Sequence, residues 1–388
     1  MSLEGRVSID LERGASPSVR VRFSQPNGVA RILIGKTPSE AQAMIPAIYS
    51  LCGKAQAQAA CLALDAAQGQ TRSPGVRARL QCLTEMESLR ENTLRIALDW
   101  PRVLGEETVK AGLKTLMRLV PELERVLPPD YDACGEDAVS GAVRNAALFL
   151  ISQAEELLSE LVFGESVERW QVRSNRDEIL SWSTEGNTPA ARLLNRIYVR
   201  GHGHAGAIDL CALKPLNAHD VGEWLSGDPD CANSLPIAVD GPVPETTLLS
   251  RHGSDKRLDI AGDGDGASAG LWARLLARLI ELSELPNRMR CLIEGRVQPV
   301  CGCALGGKGG MSEVNAARGA LVHAASVENG RVTRYRVLAP TRWNFDAAGA
   351  AARAVGRIAA ENGGDALELS ELMINAIDPC VAYSVRAH

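Results

Sequence analysis

Alternating apolar and polar positions mark the start of the chain as β structure. The stretches VSIDLE, from Val7, and VRVRF, from Val19, each place an apolar residue at every second position. This period of two residues is typical of half-buried strands. Between Val7 and Gly35 we therefore predict strands, and we predict a turn at the polar sequence QPNG.

A helical pattern then dominates the middle of the chain. Thr37, Pro38 and Glu40 form a helix N-terminal signature in TPSEAQAMIPAIYSL, and the alanine-rich segment from Lys54 to Asp65 has high helix propensity. Leucine and valine recur with helical periodicity from about residue 79 to residue 165. Residues from about 200 to 265 are rich in Gly, Pro and Asp, which predicts long loops.

The last third of the chain mixes both patterns. AGLWARLLARLIELSEL predicts an amphipathic helix. One face would carry Leu271, Leu275, Leu279 and Leu282, and another face would carry Arg274 and Arg278. RCLIEGRVQPV is typical of a strand, and the ENG turn in GALVHAASVENGRVTRYRVLAP predicts a hairpin. An alanine-rich helix follows before LELSELMINAIDPC. With no internal repeat and no clear linker, we predict one domain over residues 1–388.

Composition narrows the classes of protein that fit. The 388 residues carry a net charge of −5 and no Lys/Arg run, which argues against nucleic acid as a partner. The longest apolar runs, such as ALFLI, are too short to span a membrane. The start lacks the basic and apolar regions of a signal peptide, and the ten cysteines are scattered singly. We therefore expect reduced thiols in the cytoplasm.

Two glycine-rich segments come close to ligand-binding loops. Gly302, Gly307 and Lys308 match a phosphate-binding loop, but Gly309 stands where Ser or Thr should hold magnesium. A flexible turn is favoured, and nucleotide hydrolysis at Lys308 is the enzymatic alternative. The DGDG sequence at residues 263–266 lacks the third acidic ligand and the terminal Glu of a calcium loop. It favours a loop that leads into a helix.

Histidines and cysteines offer few complete metal sites. His202 and His204 would share a face of a strand, but with no third ligand nearby we expect exposed loop histidines. Cys301 and Cys303 are too close in sequence for a zinc knuckle. Six further cysteines are interpreted as small buried hydrophobic residues: Cys61, Cys82, Cys134, Cys211, Cys231 and Cys291.

Four segments, in order along the chain, resemble the large subunit of nickel-iron hydrogenases. SLEGRVSIDLE resembles the family's Arg-Ile-Glu-Gly-His opening, and YSLCGKAQAQAA lies where the family has Arg-x-Cys-Gly-x-Cys-x-x-x-His. NAARGALVHAASVENGRVTRYRVLAPTRWNF resembles the family's Arg-Gly-Ala-Leu-x-His hairpin with the Pro-(Ser/Thr)-Thr-Trp-Asn that follows. The ending DPCVAYSVRAH resembles Asp-Pro-Cys, two residues, Cys, two residues, His. The resemblance implies an α+β, large-subunit-like fold, a central helical bundle flanked by small β-sheets and hairpins.

The departures from the family pattern bear on chemistry. Cys52 and Cys380 fall on the positions of the terminal nickel ligands, whereas the positions of the cysteines that bridge nickel to iron are Ala55 and Tyr383. The histidine of the first motif is replaced by Ala59. Two sulfurs alone cannot supply four thiolates for a metal pair. We therefore expect neither nickel nor hydrogen turnover.

Residues that contact the diatomic ligands of iron in the family are retained. The resemblance makes Arg318 and Thr341 the donors that hydrogen-bond cyanides on iron, with Pro340 and Ala339 as a dry wall for a carbonyl ligand. Cyanide nitrogen carries negative charge, so a guanidinium or hydroxyl donor suits it. The expected ligand is therefore an Fe(CN)2CO fragment bound through Cys52 and Cys380.

This profile resembles the truncated large-subunit relatives of the HoxV/HupK family, which are hydrogenase accessory proteins and not enzymes. The resemblance implies a scaffold that accepts Fe(CN)2CO from a small chaperone of the HypC/HoxL type with HypD. The scaffold would pass it toward the large-subunit precursor. Cys52 and Cys380 would swing toward iron or share it with a cysteine of the chaperone. The alternative is a metal-free structural paralogue that docks onto hydrogenase subunits or a chaperone during assembly.

The chain ends resemble a second family site. There, the Glu of the opening and the final His bind a structural metal, magnesium or another divalent ion, which would correspond to Glu4 and His388. However, Arg386 stands at the family's His position. An ending at His388 without an extension is what we expect of a protein that never receives nickel.

Overall fold

The computed structural model describes residues 5–12, 18–24, 29–133, 138–228, 234–237, 241–258 and 269–387. Its strands are β1 (Arg6–Glu12), β2 (Ser18–Ser24), β3 (Cys303–Ala304), β4 (Gly309–Ala316), β5 (Gly319–Glu328), β6 (Arg331–Leu338) and β7 (Ala382–Ala387). Its helices are α1 (Pro38–Ile48), α2 (Gly53–Ala67), α3 (Pro74–Leu94), α4 (Trp100–Leu104), α5 (Leu113–Val126), α6 (Ala138–Leu158), α7 (Val167–Gln171), α8 (Arg176–Glu185), α9 (Pro189–Val199), α10 (Ala218–Ser226), α11 (Leu248–His252), α12 (Leu271–Ile293), α13 (Pro340–Asn344), α14 (Ala350–Glu361) and α15 (Ala366–Ile377). π-helical segments, Arg95–Asp99 and Ser159–Phe163, extend α3 and α6.

The predicted N-terminal strands form a sheet with the end of the chain. β1 pairs antiparallel with β2 and in parallel with β7, in the order β2-β1-β7. The alternation that predicted β1 turns Val7, Ile9 and Leu11 into the core. The sequence alone did not predict β7. The predicted QPNG turn, residues 25–28, lies outside the described residues.

Local signals set the first helices as predicted. Thr37 caps α1, because its Oγ1 accepts from the backbone N–H of Glu40, while the Glu40 carboxylate accepts from the backbone N–H of Thr37 at 2.7 Å. The alanine-rich segment is α2, and the periodic leucines lie in α3 to α6. The predicted loop region from 200 to 265 also contains α10 and α11, so that prediction holds only in part.

The predicted amphipathic helix is α12, and it is buried on every side. Arg274 and Arg278, expected on an exposed face, have relative exposures of 2% and 1%. Arg274 forms a two-bond ion pair with Glu245, at 2.5 and 2.9 Å, and Arg278 donates to the backbone oxygen of Asn375 at 3.1 Å. Because Arg274 is ion-paired and Arg278 bonds through Nη2, the arginines can enter the core and α12 becomes the central helix of the bundle, although Nη1 of Arg278 has no hydrogen-bond partner among the described residues.

The stretch RCLIEGRVQPV is not a strand. Its first residues continue α12 to Ile293, and Gly295, with φ of 67°, then ends the helix. The backbone N–H of Arg296 bonds to the oxygen of Cys291 at 2.9 Å, a helix-ending pattern that glycine favours. A short apolar run cannot distinguish a strand from the end of a buried helix.

The predicted hairpin forms β5 and β6, at one edge of a second sheet with antiparallel order β3-β4-β5-β6. Asn329 and Gly330 connect β5 to β6 with positive φ angles of 50° and 72°, as the ENG signal predicted. β4 was not predicted. β4 packs closely on α2, since a Cβ on Gly310 would lie 2.2 Å from the backbone nitrogen of Ala67. This contact places α2 and its leading cysteine against the sheet.

The first sheet and most of the helices share a large apolar core that includes residues of β1, α3, α6, α12 and α15, whereas the second sheet packs on α1, α2 and α10 in separate apolar clusters. This arrangement is the expected α+β fold of a helical bundle with small sheets beside it. The single domain over residues 1–388 stays a prediction. Among the described residues, no helix combines the length and the apolar character that crossing a membrane requires.

Candidate functional site

Cys52 lies at the junction of α1 and α2. It ends a short 3-10 turn, Ser50–Cys52, and directly precedes the first residue of α2. The Glu87 carboxylate of α3 accepts the backbone N–H groups of Lys54 and Ala55, each at 3.1 Å, and so caps α2 from outside the helix. The thiol is half-buried. Cys52 packs on an apolar cluster formed by Ala55, Ala59, Leu62, Val314, Ala316 and Leu321.

Cys380 lies in the short segment between α15 and β7. Asp378 ends α15 in the left-handed region, with φ of 62°, and the proline after it disfavours helical backbone at that residue. The backbone N–H of Cys380 donates to Thr341 Oγ1 at 3.1 Å, and Oγ1 lies 2.8 Å from Cys380 Sγ. Because Oγ1 accepts from the backbone, its own proton can point to the sulfur. Thr341 therefore hydrogen-bonds to Cys380 in this structure, whereas the resemblance predicts that it donates a hydrogen bond to a cyanide ligand.

Arg318 is buried in the turn between β4 and β5, with a relative exposure of 7%. Its Nη2 lies 3.3 Å from a Glu91 oxygen, and its Nε lies 3.3 Å from Oδ1 of Asp378. Its Nε and Nη1 are buried and have no hydrogen-bond partner among the described residues, so the contact of Nε with Asp378 is an ion pair, and Nη1 lacks a carboxylate as well. The next residue, Gly319, has φ of 138°, and a Cβ there would lie 1.7 Å from the oxygen of Thr246. Only glycine therefore fits at position 319, directly after Arg318.

The two thiols and the guanidinium share one electrostatic environment. Burial raises the pKa of Cys52 to about 12, with further increases from the charges of Cys380 and Glu87 and opposing effects of Gln56 and Arg318. Burial also raises the pKa of Cys380, against the effects of the Thr341 hydrogen bond and of the Arg318 charge. Both thiols are therefore protonated at neutral pH in the absence of a metal, and Arg318 stabilises the thiolate form of each.

Asp378 supports the site from behind. It is fully buried and faces three guanidiniums, with Arg95 Nη2 at 2.9 Å, Arg318 Nε at 3.3 Å and Arg278 Nη2 at 3.5 Å. Burial favours the neutral acid, but Arg318, Arg95 and Arg278 outweigh it and lower the pKa of Asp378. Asp378 of the DPC sequence therefore orients the arginines. Cys380, two residues later, belongs to the same site as Arg318.

The positions of the missing bridging cysteines offer no sulfur. Ala55 is 1% exposed in the first turn of α2, and its N–H is used by Glu87. Tyr383 is half-buried on β7, burial raises its pKa, and its hydroxyl is hydrogen-bonded to Asn375 of α15. Pro340 is buried as the first residue of α13. The niche therefore holds the predicted Cys52, Cys380, Arg318, Thr341 and Pro340 together.

Several other predicted site residues can be placed, and others cannot. Glu4 and His388, the predicted structural metal ligands, lie outside the described residues, as do residues 263–266. His204 is exposed in the turns after α9, as predicted, whereas His202 is half-buried. Lys308 lies in the turn between β3 and β4, and a strand follows where a phosphate-binding loop requires a helix. The nucleotide hypothesis is therefore wrong.

The remaining cysteines agree only partly with the prediction of small buried residues. Cys61 and Cys82 are buried, whereas Cys211 and Cys291 are half-buried, and Cys134 and Cys231 lie outside the described residues. In the described ranges, His252, Glu281 and Glu284 have ligand atoms within 4.8 Å of one another. However, Glu281 already accepts from Arg251 at 2.8 Å, and this guanidinium repels a cation.

Sequence reasoning missed the polar side chains behind Cys52. Gln56 Nε2 donates to Cys52 Sγ at 3.5 Å, and its Oε1 lies 2.8 Å from His323 Nε2. His323 Nδ1 lies 2.7 Å from the Tyr335 hydroxyl. One signal was available, because Gln56 follows Cys52 by four residues at the start of a predicted helix, a spacing that puts the two on one face.

Comparisons with known proteins relate this chain to hydrogenases and to proteins of hydrogenase formation. A family model described as nickel-dependent hydrogenase matches residues 304–386. The hydrogenase expression/formation protein HupV of Azotobacter chroococcum mcd 1 is 28% identical, over 98% of this chain and 97% of that protein. HupK of Rhizobium leguminosarum bv. viciae is 28% identical over 98% and 96%, and HoxV of Cupriavidus necator is 28% identical over 93% and 91%.

Solved structures show the same fold. An NAD+-reducing [NiFe]-hydrogenase in the H2-reduced state aligns with a TM-score of 0.54 and 17% identity, over 94% of this chain and 92% of that chain. The Ni-Fe-Se hydrogenase from D. vulgaris Hildenborough aligns with a TM-score of 0.56 and 14% identity, over 93% and 92%. This chain is therefore a homologue of the hydrogenase expression/formation proteins HupK, HupV and HoxV, with a fold like that of the hydrogenase large subunit.

Proposed function

We propose that this protein acts in hydrogenase maturation as a non-catalytic scaffold that binds the Fe(CN)2CO fragment through Cys52 and Cys380. The names of its relatives, hydrogenase expression/formation proteins, support the role in maturation. The fragment is cargo, received from a small chaperone of the HypC/HoxL type with HypD and passed toward the large-subunit precursor. The donor set supports this cargo, because thiolates suit a soft, low-spin iron.

The observation that carries the proposal is the unpartnered Nη1 of buried Arg318 beside two thiols. An unsatisfied buried donor of a charged group is costly, so such a group calls for an acceptor. A metal-bound cyanide nitrogen is a negatively charged acceptor, and a planar guanidinium can bond to it without leaving Glu91 or Asp378. Iron(II) with two cyanides is neutral, so two thiolates make the complex anionic, and Arg318 offsets part of that charge.

The surroundings also fit a carbonyl ligand. Ala339 and Cys52 pack against one apolar cluster, and Pro340 is buried next to them. These side chains offer no hydrogen-bond donor, so this side of the niche suits a weakly polar carbon monoxide. Thr341, which bonds to Cys380 in this structure, lies beside the thiol and fixes its direction.

The raised thiol pKa values suit temporary binding. Each thiol must lose a proton to become a ligand, so burial makes the loaded state harder to form and easier to leave. When the iron fragment is transferred to a precursor, the protons return to Cys52 and Cys380.

Infrared spectroscopy of protein purified anaerobically from cells with an intact maturation pathway tests this function. The wild type should show cyanide and carbonyl bands, and Cys52→Ser and Cys380→Ser should lose or shift them. Cys291→Ser is the matched control, because this half-buried thiol lies on α12 away from the niche. Identical spectra for the wild type and both site variants would show that these cysteines do not hold the iron.

The same experiment separates the alternative function. If the wild type carries no bands but still co-purifies with a hydrogenase subunit or a chaperone, the protein is a metal-free docking paralogue. In that case, Cys52→Ser and Cys380→Ser should leave co-purification unchanged.

A further inference from the structure

A buried chain of hydrogen bonds runs from the Cys52 thiol along the face of the second sheet that packs on α2, and it ends at β6. It passes from Cys52 Sγ to Gln56 Nε2 (3.5 Å), from Gln56 Oε1 to His323 Nε2 (2.8 Å), and from His323 Nδ1 to the Tyr335 hydroxyl (2.7 Å). Gln56, His323 and Tyr335 are buried, with His323 at 0% exposure. The chain joins α2, β5 and β6, so it forms only when the sheet packs on α2.

The chain has a definite direction. Burial lowers the pKa of His323 to about 3, so the ring is neutral and carries one N–H. A hydroxyl donated by Tyr335 to Nδ1 leaves that N–H on Nε2, where it meets the Gln56 oxygen. The amide nitrogen of Gln56 is then turned toward Cys52. A reversed amide would place an acceptor against the sulfur and two N–H donors against each other at His323.

We propose that Gln56 is a positioning residue that holds the Cys52 sulfur and donates a hydrogen bond to its thiolate, and that His323 and Tyr335 fix the Gln56 amide in this orientation. This inference rests on the proposed function, because it explains how Cys52 serves as an iron ligand. A residue that hydrogen-bonds to a metal-binding side chain commonly sets the direction of that side chain and the strength with which it donates to the metal. In this protein the buried imidazole is His323 of β5, and it acts on Cys52 through the Gln56 amide. Ala59 of α2, at the position of the family's motif histidine, has no polar side chain.

The effect on the metal follows from the charge on sulfur. An N–H donor withdraws electron density from the thiolate and so weakens its donation to iron. It also stabilises the thiolate against the thiol, which makes Cys52 available as a ligand. Cys380 receives its own donor, Thr341, so each thiol of the niche has one hydrogen-bonding partner.

The first test uses the metal-free protein and iodoacetamide, with mass spectrometry to follow Cys52 and Cys380 separately in the same sample. Loss of the donor should cut the thiolate fraction of Cys52 about tenfold and raise its intrinsic nucleophilicity about threefold, for a net slowing of about threefold relative to Cys380. We expect this in Gln56→Leu. Gln58→Leu is the matched control, because Gln58 is equally buried in α2 but does not contact Cys52.

Two further variants protect the test against a folding defect. Gln56→Glu keeps the size of the side chain but places an acceptor against the sulfur, so the slowing should exceed that in Gln56→Leu. Tyr335→Phe removes only the hydroxyl that fixes the His323 tautomer, and should slow Cys52 in the same direction but less. An unchanged Cys52/Cys380 ratio in Gln56→Leu, or equal slowing of both thiols, would overturn the proposal.

The second test uses the loaded protein. In Gln56→Leu, the thiolate donates more density to iron, so the carbonyl band should shift to lower wavenumber, whereas Gln58→Leu should leave it in place. The absence of bands in the wild type would remove the proposed iron cargo without affecting the alkylation result. Bands that do not move in Gln56→Leu would instead overturn the role of Gln56.

Discussion

The Nε atom of Arg318 lies 3.3 Å from Oδ1 of Asp378, in an ion pair that joins the turn after β4 to the end of α15. Glu91 of α3 holds the same guanidinium from another direction, at 3.3 Å from Nη2. Both carboxylates use one part of the planar group and leave Nη1 without a partner among the described residues. The fixed fork of an arginine can serve three acceptors in this way, and the point charge of a lysine cannot.

Arg318→Lys should therefore reduce cargo binding although the charge is kept. A charge-assisted hydrogen bond contributes about 1.5–3 kcal/mol, which corresponds to a loss of occupancy of about tenfold to a hundredfold. Iron content and cyanide band intensity per protein measure the loss. Arg334→Lys, at an exposed position of β6, is the control and should bind the cargo as the wild type does. Full occupancy in Arg318→Lys would contradict the assigned grip on cyanide.

Asp378→Asn should destabilise the fold itself. Removal of this buried negative charge leaves Arg95, Arg278 and Arg318 less compensated, and a broken buried ion pair costs about 3–5 kcal/mol. The free energy of unfolding in urea measures this cost. Asp177→Asn is the control, because Asp177 is 83% exposed on its side chain and should change stability by less than about 1 kcal/mol. A similarly small change in Asp378→Asn would mean that water replaces the lost charge.

Gly319→Ala should disturb both the fold and the site. The added Cβ would lie 1.7 Å from the Thr246 oxygen, and φ of 138° is strained for any residue other than glycine. We expect a loss of at least about 3 kcal/mol in urea unfolding, together with a displaced Arg318 and weaker cyanide bands. Gly330→Ala also has positive φ but faces open space, so it should cost only about 1 kcal/mol. Equal costs for the two variants would show that the contact at Gly319 relaxes easily.

The sequence predicted those parts of the fold that depend on neighbouring residues. The Thr37 cap, the alternation in β1 and the Asn-Gly turn after β5 each act within a few residues, and the structure contains all three. The burial of Arg274 could not be read in the same way. Its partner, Glu245, lies 29 residues earlier, in a region predicted as loop, so the arginine pattern indicated a solvent-exposed face.

The candidate site was also predicted only in part. Cys52, Arg318 and Cys380 were named through resemblance, because nothing local in the sequence brings them together, and in the structure they lie near enough for their charges to interact. The support around them was not predicted. His323 is 267 residues from Gln56, and a histidine within an apolar strand is usually interpreted as a core residue. Only the packing of the second sheet on α2 makes these two side chains neighbours.

His323 also predicts how stability depends on pH. Its pKa falls from 6.5 in the unfolded chain to about 3 in the fold, so the unfolded chain binds the extra proton between these values. The stabilisation by the neutral ring is therefore complete above about pH 6.5 and is lost as pH falls toward 3. Protonation of this group lowers the free energy of unfolding by about 1.4 kcal/mol for each pH unit below 6.5. The total loss at pH 4.5 is about 2.7 kcal/mol.

Urea unfolding of the wild type and of His323→Gln, from pH 7 to pH 4.5, measures this contribution. His323→Gln should be less stable at pH 7, because the bonds to Gln56 and Tyr335 are altered, but its stability should fall less steeply with acid. His219→Gln, at an exposed position of α10, is the control for the substitution itself. The comparison of slopes separates titration from packing, because a packing defect lowers stability by a similar amount at each pH. Parallel curves for the wild type and His323→Gln would mean that the buried ring takes up its proton without unfolding the protein.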